Sequence, residues 1–382
     1  MSAMEYQIIS GDSHVDLTWL PGDLFASNAP ADMSAKMPRV VEDESGKSWR
    51  ANGIELGGVG GLGFTGEKVQ KGWSRRLDRM ISLGFYEDGA KGLFHPSTPE
   101  LREKDQDLDG VQAEVIYGIL GVGLNLKDPE AMSLVYRIYN DWAADFCKSN
   151  PERFRALACI PNHDPAEAAS ELRRASGLGL RGADFAVASA SKPMYHESWD
   201  VLWEAAEETQ APISFHTTGL TPRQPDPEEA EEYERRYRAV RITMFQLSGV
   251  EYLASVIFSG ACDRHPGLRF VLGESGVSWL PYVLDRMDHE YEDRFYHLNL
   301  SMTPREFWLR QGFSTYQKET IDPGMVPLMG EDNVIWGSDY PHPDGVWPDS
   351  LAAIEENLAG VPAGAREKIT CLNAGKLYGF IE

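Results

Sequence analysis

The chain is short of basic residues, poor in cysteine and free of long apolar runs. Lys and Arg number 36 against 59 Asp and Glu, a formal net charge of -23. That balance argues against nucleic acid or an anionic membrane surface as a partner, because both require clustered positive charge. The four cysteines, Cys147, Cys159, Cys262 and Cys371, are scattered and form no C-x-x-C pair. In a chain of 382 residues this reads as buried free thiols in a reducing compartment, not as a disulfide framework. No apolar run approaches the roughly 20 residues of a membrane span. Met1 to Ser10 holds no basic stretch followed by an apolar one, so a cytoplasmic location is expected. The glycine run from Gly57 to Gly63 does not match G-x-x-x-x-G-K-[ST], and no G-x-G-x-x-G follows a strand-like segment. Ser13 has no G-x-S-x-G context, which argues against a serine nucleophile.

What the chain does have is four polar clusters, each at the end of an apolar, strand-like run. Tyr6-Gln7-Ile8-Ile9 leads into Gly11-Asp12-Ser13-His14, and Pro212-Ile213-Ser214-Phe215 leads into His216. Arg269-Phe270-Val271-Leu272-Gly273 leads into Glu274, and Val334-Ile335-Trp336-Gly337-Ser338 leads into Asp339. From about residue 100 such runs alternate with amphipathic helices, for example one at about 129–150 with Leu134, Val135, Ile138, Trp142 and Phe146 at three- and four-residue spacing. Strand–helix alternation gives a parallel sheet with right-handed crossovers. About eight such units fit an α/β fold of the (β/α)8 TIM-barrel kind, with an open doubly wound sheet as the alternative. The whole chain, 1–382, reads as one barrel domain with a long insertion after the first strand, at about 20–105. That insertion breaks the alternation and is expected to act as a lid, binding loop or interface element. It is rich in aromatics (Trp49, Phe64, Trp73, Phe85, Tyr86 and Phe94), most of which are expected to form a local core.

A barrel gathers the C-terminal ends of distant strands at one place. Asp12 and His14 are two apart on an extended chain, so both side chains leave the same face. With His216 and Asp339 they supply the carboxylates and imidazoles that bind a hydrolytic metal. Taken singly, His216 could be a satisfied core histidine and Asp339 a helix cap. Their convergence at the first, a middle and the last strand end favours a metal. Around them, Asp16 reads as part of a turn or a helix cap, with a supporting contact to a ligand as the alternative, and His342 is a candidate for such a contact. His163, after the third strand, is a candidate substrate contact. Arg181 could hold a carboxylate or pair with a core acid. Tyr340 and Trp19 are candidate pocket walls, with aromatic core the plainer reading, and His265, before Pro266, reads as structural.

The segments Asp12-Ser13-His14-Val15, Asp107-Leu108-Asp109-Gly110-Val111, Phe154 to Pro161, Pro212 to His216, Asp263 to Phe270 and Gly337-Ser338-Asp339-Tyr340-Pro341-His342 carry a resemblance. On them the chain resembles the amidohydrolase-related ("amidohydrolase 2") family, which includes the aminocarboxymuconate-semialdehyde decarboxylase-like enzymes. The resemblance implies a distorted (β/α)8 barrel holding one or two divalent ions (zinc, iron or manganese) and a homodimer. It implies metal contacts from Asp12, His14, His216 and Asp339, with Asp339 also taking the proton from an attacking water. Many members carry histidine where this chain has Glu274, and the decarboxylases use that histidine as a proton source. Glu274 is therefore read as a further metal ligand, a catalytic acid or base, or a carboxylate bonded to a ligating histidine. Because the histidine is missing, the expected activity is metal-dependent hydrolysis of an ester, thioester, lactone or amide of a small organic acid, with Asp339, Glu274 and His163 as catalytic residues. Nonoxidative decarboxylation of an aromatic or related acid is the alternative, and a noncatalytic barrel with a binding role is a third.

Overall fold

Short runs of β-branched and aromatic residues, buried on both faces, pair best with parallel neighbours covered by helices. The chain's computed structural model, which describes residues 4–44, 46–61, 69–217, 219–220 and 222–382, contains eight such strands in the barrel positions. They are β1 (Ile9–His14), β2 (Ala113–Tyr117), β3 (Phe154–Ala156, resuming at Ala158–Cys159), β4 (Ala183–Asp184), β5 (Ile213–His216), β6 (Phe270–Gly273), β7 (Gly312–Tyr316) and β8 (Val334–Trp336). All neighbouring pairs from β1 to β8 are parallel. At the break in β3, Leu157 N–H donates to Ile116 O of β2, and Ala158 N–H donates to Gly182 O beside β4. One strand thus hands its bonding from one neighbour to the next. The first and last strands meet through a parallel bridge between Ser13 and Tyr340 and a bond from Asp339 N–H to Asp12 O at 2.9 Å. This is the expected (β/α)8 arrangement. Among the described residues no helix is long and apolar enough to cross a membrane.

The insertion between β1 and β2 is more regular than its sequence suggests. It forms a three-stranded antiparallel sheet from Arg39–Asp43, Gly46–Ala51 and Ile54–Gly58, followed by helices Arg75–Ser82 and Phe85–Ala90. The strand signal is weak because the sheet buries little and its outer strand, Arg39-Val40-Val41-Glu42-Asp43, is mostly polar. Trp49 packs edge-on to Phe25, while Trp19, Phe85, Tyr86, Tyr340 and Trp347 form a buried aromatic cluster that fastens the insertion to the barrel. Trp19 and Tyr340 are thus core residues. Trp73 is 44% exposed and lies under the Arg238 guanidinium, and Phe64 lies outside the described residues.

Helix Pro99–Asp109 joins insertion and barrel by polar contacts. Arg102, fully buried, donates to Glu114 on β2, to Ser13 Oγ (3.0 Å) and to the carbonyls of His14 (2.9 Å) and Pro96 (2.8 Å). Asp105 accepts from Tyr340 Oη at 2.6 Å and faces His95 Nδ1 at 2.9 Å, while His95 Nε2 lies 3.4 Å from Asp88 in the insertion. Breaking a buried ion pair from one side leaves an uncompensated charge. Arg102→Ala is accordingly expected to lose about 3–5 kcal/mol of stability in denaturant unfolding. Burial works against a charged His95, but its hydrogen bonds and proximity to Asp105 and Asp88 win, and its pKa is raised. A raised histidine contributes stability in full below its unfolded pKa of about 6.5 and loses it as pH climbs through the folded value. Replacing it, His95→Gln, should flatten that part of the pH dependence of Tm; a pH profile unchanged from the native chain would contradict this.

Candidate metal centre

The strand ends bring Asp12, His14, His216, Glu274 and Asp339 to one site. β1 carries a register irregularity between Ser10 and Ser13, and both Asp12 and His14 come out buried. β8 approaches β1 so closely that a Cβ on Gly337 would lie 2.5 Å from Asp12 Cβ, which explains glycine there. Glu274 and Asp339, each just past a strand end, adopt left-handed backbone with φ of 49° and 55°. Non-glycine residues in this region are uncommon and concentrate at functional sites.

Asp12 is held by one oxygen. Its Oδ2 accepts from Thr315 Oγ1 (2.9 Å) and from the backbone N–H of Glu274 (3.1 Å). Its Oδ1 lies 3.2 Å from His14 Nε2 and 3.8 Å from His216 Nε2, and His14 Nε2 is also 3.2 Å from Asp339 Oδ1. Asp12 Oδ1, His14 Nε2, His216 Nε2 and Asp339 Oδ2 are all buried without a hydrogen-bond partner. Leaving one such atom unsatisfied costs about 1–3 kcal/mol, so four at one place call for a shared partner. A divalent cation fits: two imidazole nitrogens and two carboxylate oxygens suit manganese, iron or zinc. Asp12, His14 and His216 already lie close enough together to hold one ion, as do His14, Asp16 and His342, and Asp339, His342 and Asp344.

The charges follow from this crowding. Burial pushes Asp12 upward, but the His14 and His216 imidazoles beside it outweigh burial and its pKa falls. Burial and nearby His342 work against a charged His14, yet Asp12 and Asp339 lift it to about 9. For Glu274 the nearby His342 lowers the value too little to offset the rest. Burial, followed by the charges of Asp339, Asp344 and Asp12, raises its carboxyl well above the usual range. Its Oε2 lies 3.6 Å from His216 Nε2, and it belongs to none of the three ion-sized groups.

The remaining candidates fall on both sides of the expectation. His342 bonds both Asp339 and Asp16. His163 Nε2 pairs with Glu167 at 2.8 Å and stands outside the ion-sized groups. Arg181 is exposed and precedes β4, at the opposite end of the strand from the site, so it neither holds a site carboxylate nor pairs with a core acid. His265 faces Glu207 and Asp200, away from the centre. Three contributors escaped the sequence reading. Asp184, the last residue of β4, is buried with Oδ1 unpartnered, and burial raises it to about 6 despite His216 and His14. Thr315 supports Asp12, and Tyr117 lays its ring 4.9 Å from that of His216. The signal for Asp184 was an acid ending an apolar strand, the same signal that marked Glu274. Contacts behind a metal ligand are typically worth 10- to 100-fold in affinity. Thr315→Val should therefore weaken manganese binding by that factor in calorimetric titration; an unchanged Kd would show that the Thr315 bond does not support the ligand.

The sequence profile of a family described as amidohydrolase matches residues 95–380, most of the chain. The chain belongs to the amidohydrolase family. A curated relative, the gamma-resorcylate decarboxylase of Polaromonas sp. (strain JS666 / ATCC BAA-500), is 26% identical over 331 residues, covering 78% of this chain and 94% of that protein. Among solved structures, the amidohydrolase map2389c of Mycobacterium avium subsp. paratuberculosis K-10 superposes with a TM-score of 0.73 at 20% identity, over 99% of this chain and 100% of the other. A dihydroxybenzoic acid decarboxylase of Polaromonas sp. JS666, with bound manganese and the inhibitor 2-nitroresorcinol, superposes with a TM-score of 0.60 at 21% identity, over 80% and 94%. These likenesses support the amidohydrolase fold and an enzyme. They overturn the expectation of hydrolysis, since the relative matched over nearly its whole length is a decarboxylase. The expectation took the missing histidine as a missing acid, but the residue in its place, Glu274, is itself an acid, and burial raises its carboxyl above the usual range.

Proposed function

We propose that this amidohydrolase-family enzyme is a metal-dependent nonoxidative decarboxylase of an aromatic or related acid with a hydroxyl beside its carboxylate. The observation that carries the reading is the set of four buried, unpartnered donor atoms on Asp12, His14, His216 and Asp339 in a chain matched over 94% of a decarboxylase's length. These four residues would hold the ion. When bound, a divalent cation supplies positive charge that orients the substrate carboxylate and draws electron density from it.

The chain's own residues supply the rest. Decarboxylation consumes one proton: it adds to the carbon that bears the carboxylate, the C–C bond breaks with its electrons returning to the ring, and carbon dioxide leaves. Glu274, an acid buried at the site with its Oε2 3.6 Å from His216 Nε2, is the group that delivers this proton. It is then left as the carboxylate and regains a proton from solvent. Asp339 keeps its one free oxygen for the ion, its other being held by His342. His163 receives no role in these steps.

The reading is tested by supplying manganese and hydroxybenzoic acids and measuring carbon dioxide release. Release is expected, with loss on chelation and recovery on re-addition of metal. His216→Ala should abolish it, and Glu274→Gln should lower kcat by about 10²–10⁴, the usual weight of a general acid. Ester, thioester, lactone or amide cleavage without carbon dioxide would defeat the proposal.

A further inference from the structure

We infer that His342 and Asp16 form a clamp that positions two of the proposed metal ligands, Asp339 and His14. The inference rests on the metal-centre reading above. His342 lies three residues beyond Asp339, and its backbone N–H donates to the Asp339 carbonyl at 2.8 Å, turning the chain back over the strand end. Its Nδ1 is 2.9 Å from Asp339 Oδ1 and its Nε2 is 3.2 Å from Asp16 Oδ2. Its ring stacks on that of His14, with centroids 4.1 Å apart and planes 26° apart. Asp16 is 2% exposed and follows His14 by two residues on the same chain segment.

Each contact removes a freedom a ligand would otherwise keep. A carboxylate has two equivalent oxygens and rotates about its Cβ–Cγ bond. Once His342 takes Asp339 Oδ1, the choice is made, and Oδ2 is the oxygen left buried and free. The stacked ring prevents the His14 imidazole from turning its Nε2 away from Asp12 and Asp339. Asp16 fixes His342 in turn, anchoring the clamp to the first strand while it acts on the eighth.

The same residues invite a rival reading. His14, Asp16 and His342 could hold a second ion, as could Asp339, His342 and Asp344. A ligating nitrogen must offer its lone pair to the metal. Both nitrogens of His342 are instead taken up in hydrogen bonds with carboxylate oxygens, whereas Nε2 of His14 and Nε2 of His216 have no hydrogen-bond partner and are left for an ion. The geometry favours a support over a second ligand set.

The experiment is manganese titration of the metal-free full-length protein, followed by calorimetry and by electron paramagnetic resonance of the bound ion. The native chain should take one ion. His342→Ala should bind it 10- to 100-fold more weakly, the usual weight of an outer contact, with a broadened spectrum. Asp16→Ala, which releases the ring, should lose more than Asp16→Asn, whose amide oxygen still accepts from Nε2. Wild-type affinity and spectrum in His342→Ala would overturn the clamp. So would equal losses in the two Asp16 variants, a comparison that stands even if His342→Ala does not fold. Two ions per native chain, reduced to one by His342→Ala, would replace the clamp with a second metal site. If the native chain bound no manganese, the metal-centre reading would fail and the clamp with it. Binding as expected without carbon dioxide release would defeat the decarboxylase reading alone and leave the clamp supported.

Discussion

Arg102 has no exposed surface, and its guanidinium is engaged by the end of the first strand and its neighbours. It binds the Ser13 hydroxyl and the His14 carbonyl, and its charge is balanced by Glu114 on the adjacent strand. The first strand is where the site begins, since Asp12 and His14 both lie on it. That buried cation adds to the ladder a second hold on the backbone that aims them. The same helix anchors the far side, because Asp105 accepts from Tyr340, the residue after Asp339. Strands at opposite ends of the sequence, which must meet for the site to exist, are thus tied to one helix.

The electrostatics explain why the site is built from mixed donors. Asp12, Asp16, Asp184, Glu274 and Asp339 are all buried around three imidazoles. Burial alone would raise the pKa of all five acids. For Asp12, Asp16 and Asp339 the neighbouring histidines outweigh burial and the pKa values are lowered; for Glu274 and Asp184 burial outweighs the histidines and the values are raised. One neighbourhood therefore holds carboxylates suited to a cation and carboxylic acids suited to giving up a proton. The division is set by whether the histidines around each acid outweigh its burial.

Much of this was legible in the sequence, for a definite reason. Parallel strands buried on both faces are apolar runs, and a polar residue that ends such a run stands out; Asp12, His14, His216, Glu274 and Asp339 were all visible in that way. Residues that support from within a strand, such as Thr315, leave no such mark, because threonine is ordinary in a strand. The insertion hid its sheet for the opposite reason: strands that bury little look like loops. The reaction was misread because identity was weighed without environment. A glutamate in water and a glutamate buried among carboxylates are different reagents, and only the fold distinguishes them.

Glu274 supports Asp12 through its backbone N–H, not through its side chain. The amide at this position is common to every amino acid except proline, so the scaffold for the ligand would survive a change of residue. The demand at position 274 therefore falls on the backbone: a residue that keeps its N–H and adopts a φ near 49° leaves the contact to Asp12 in place.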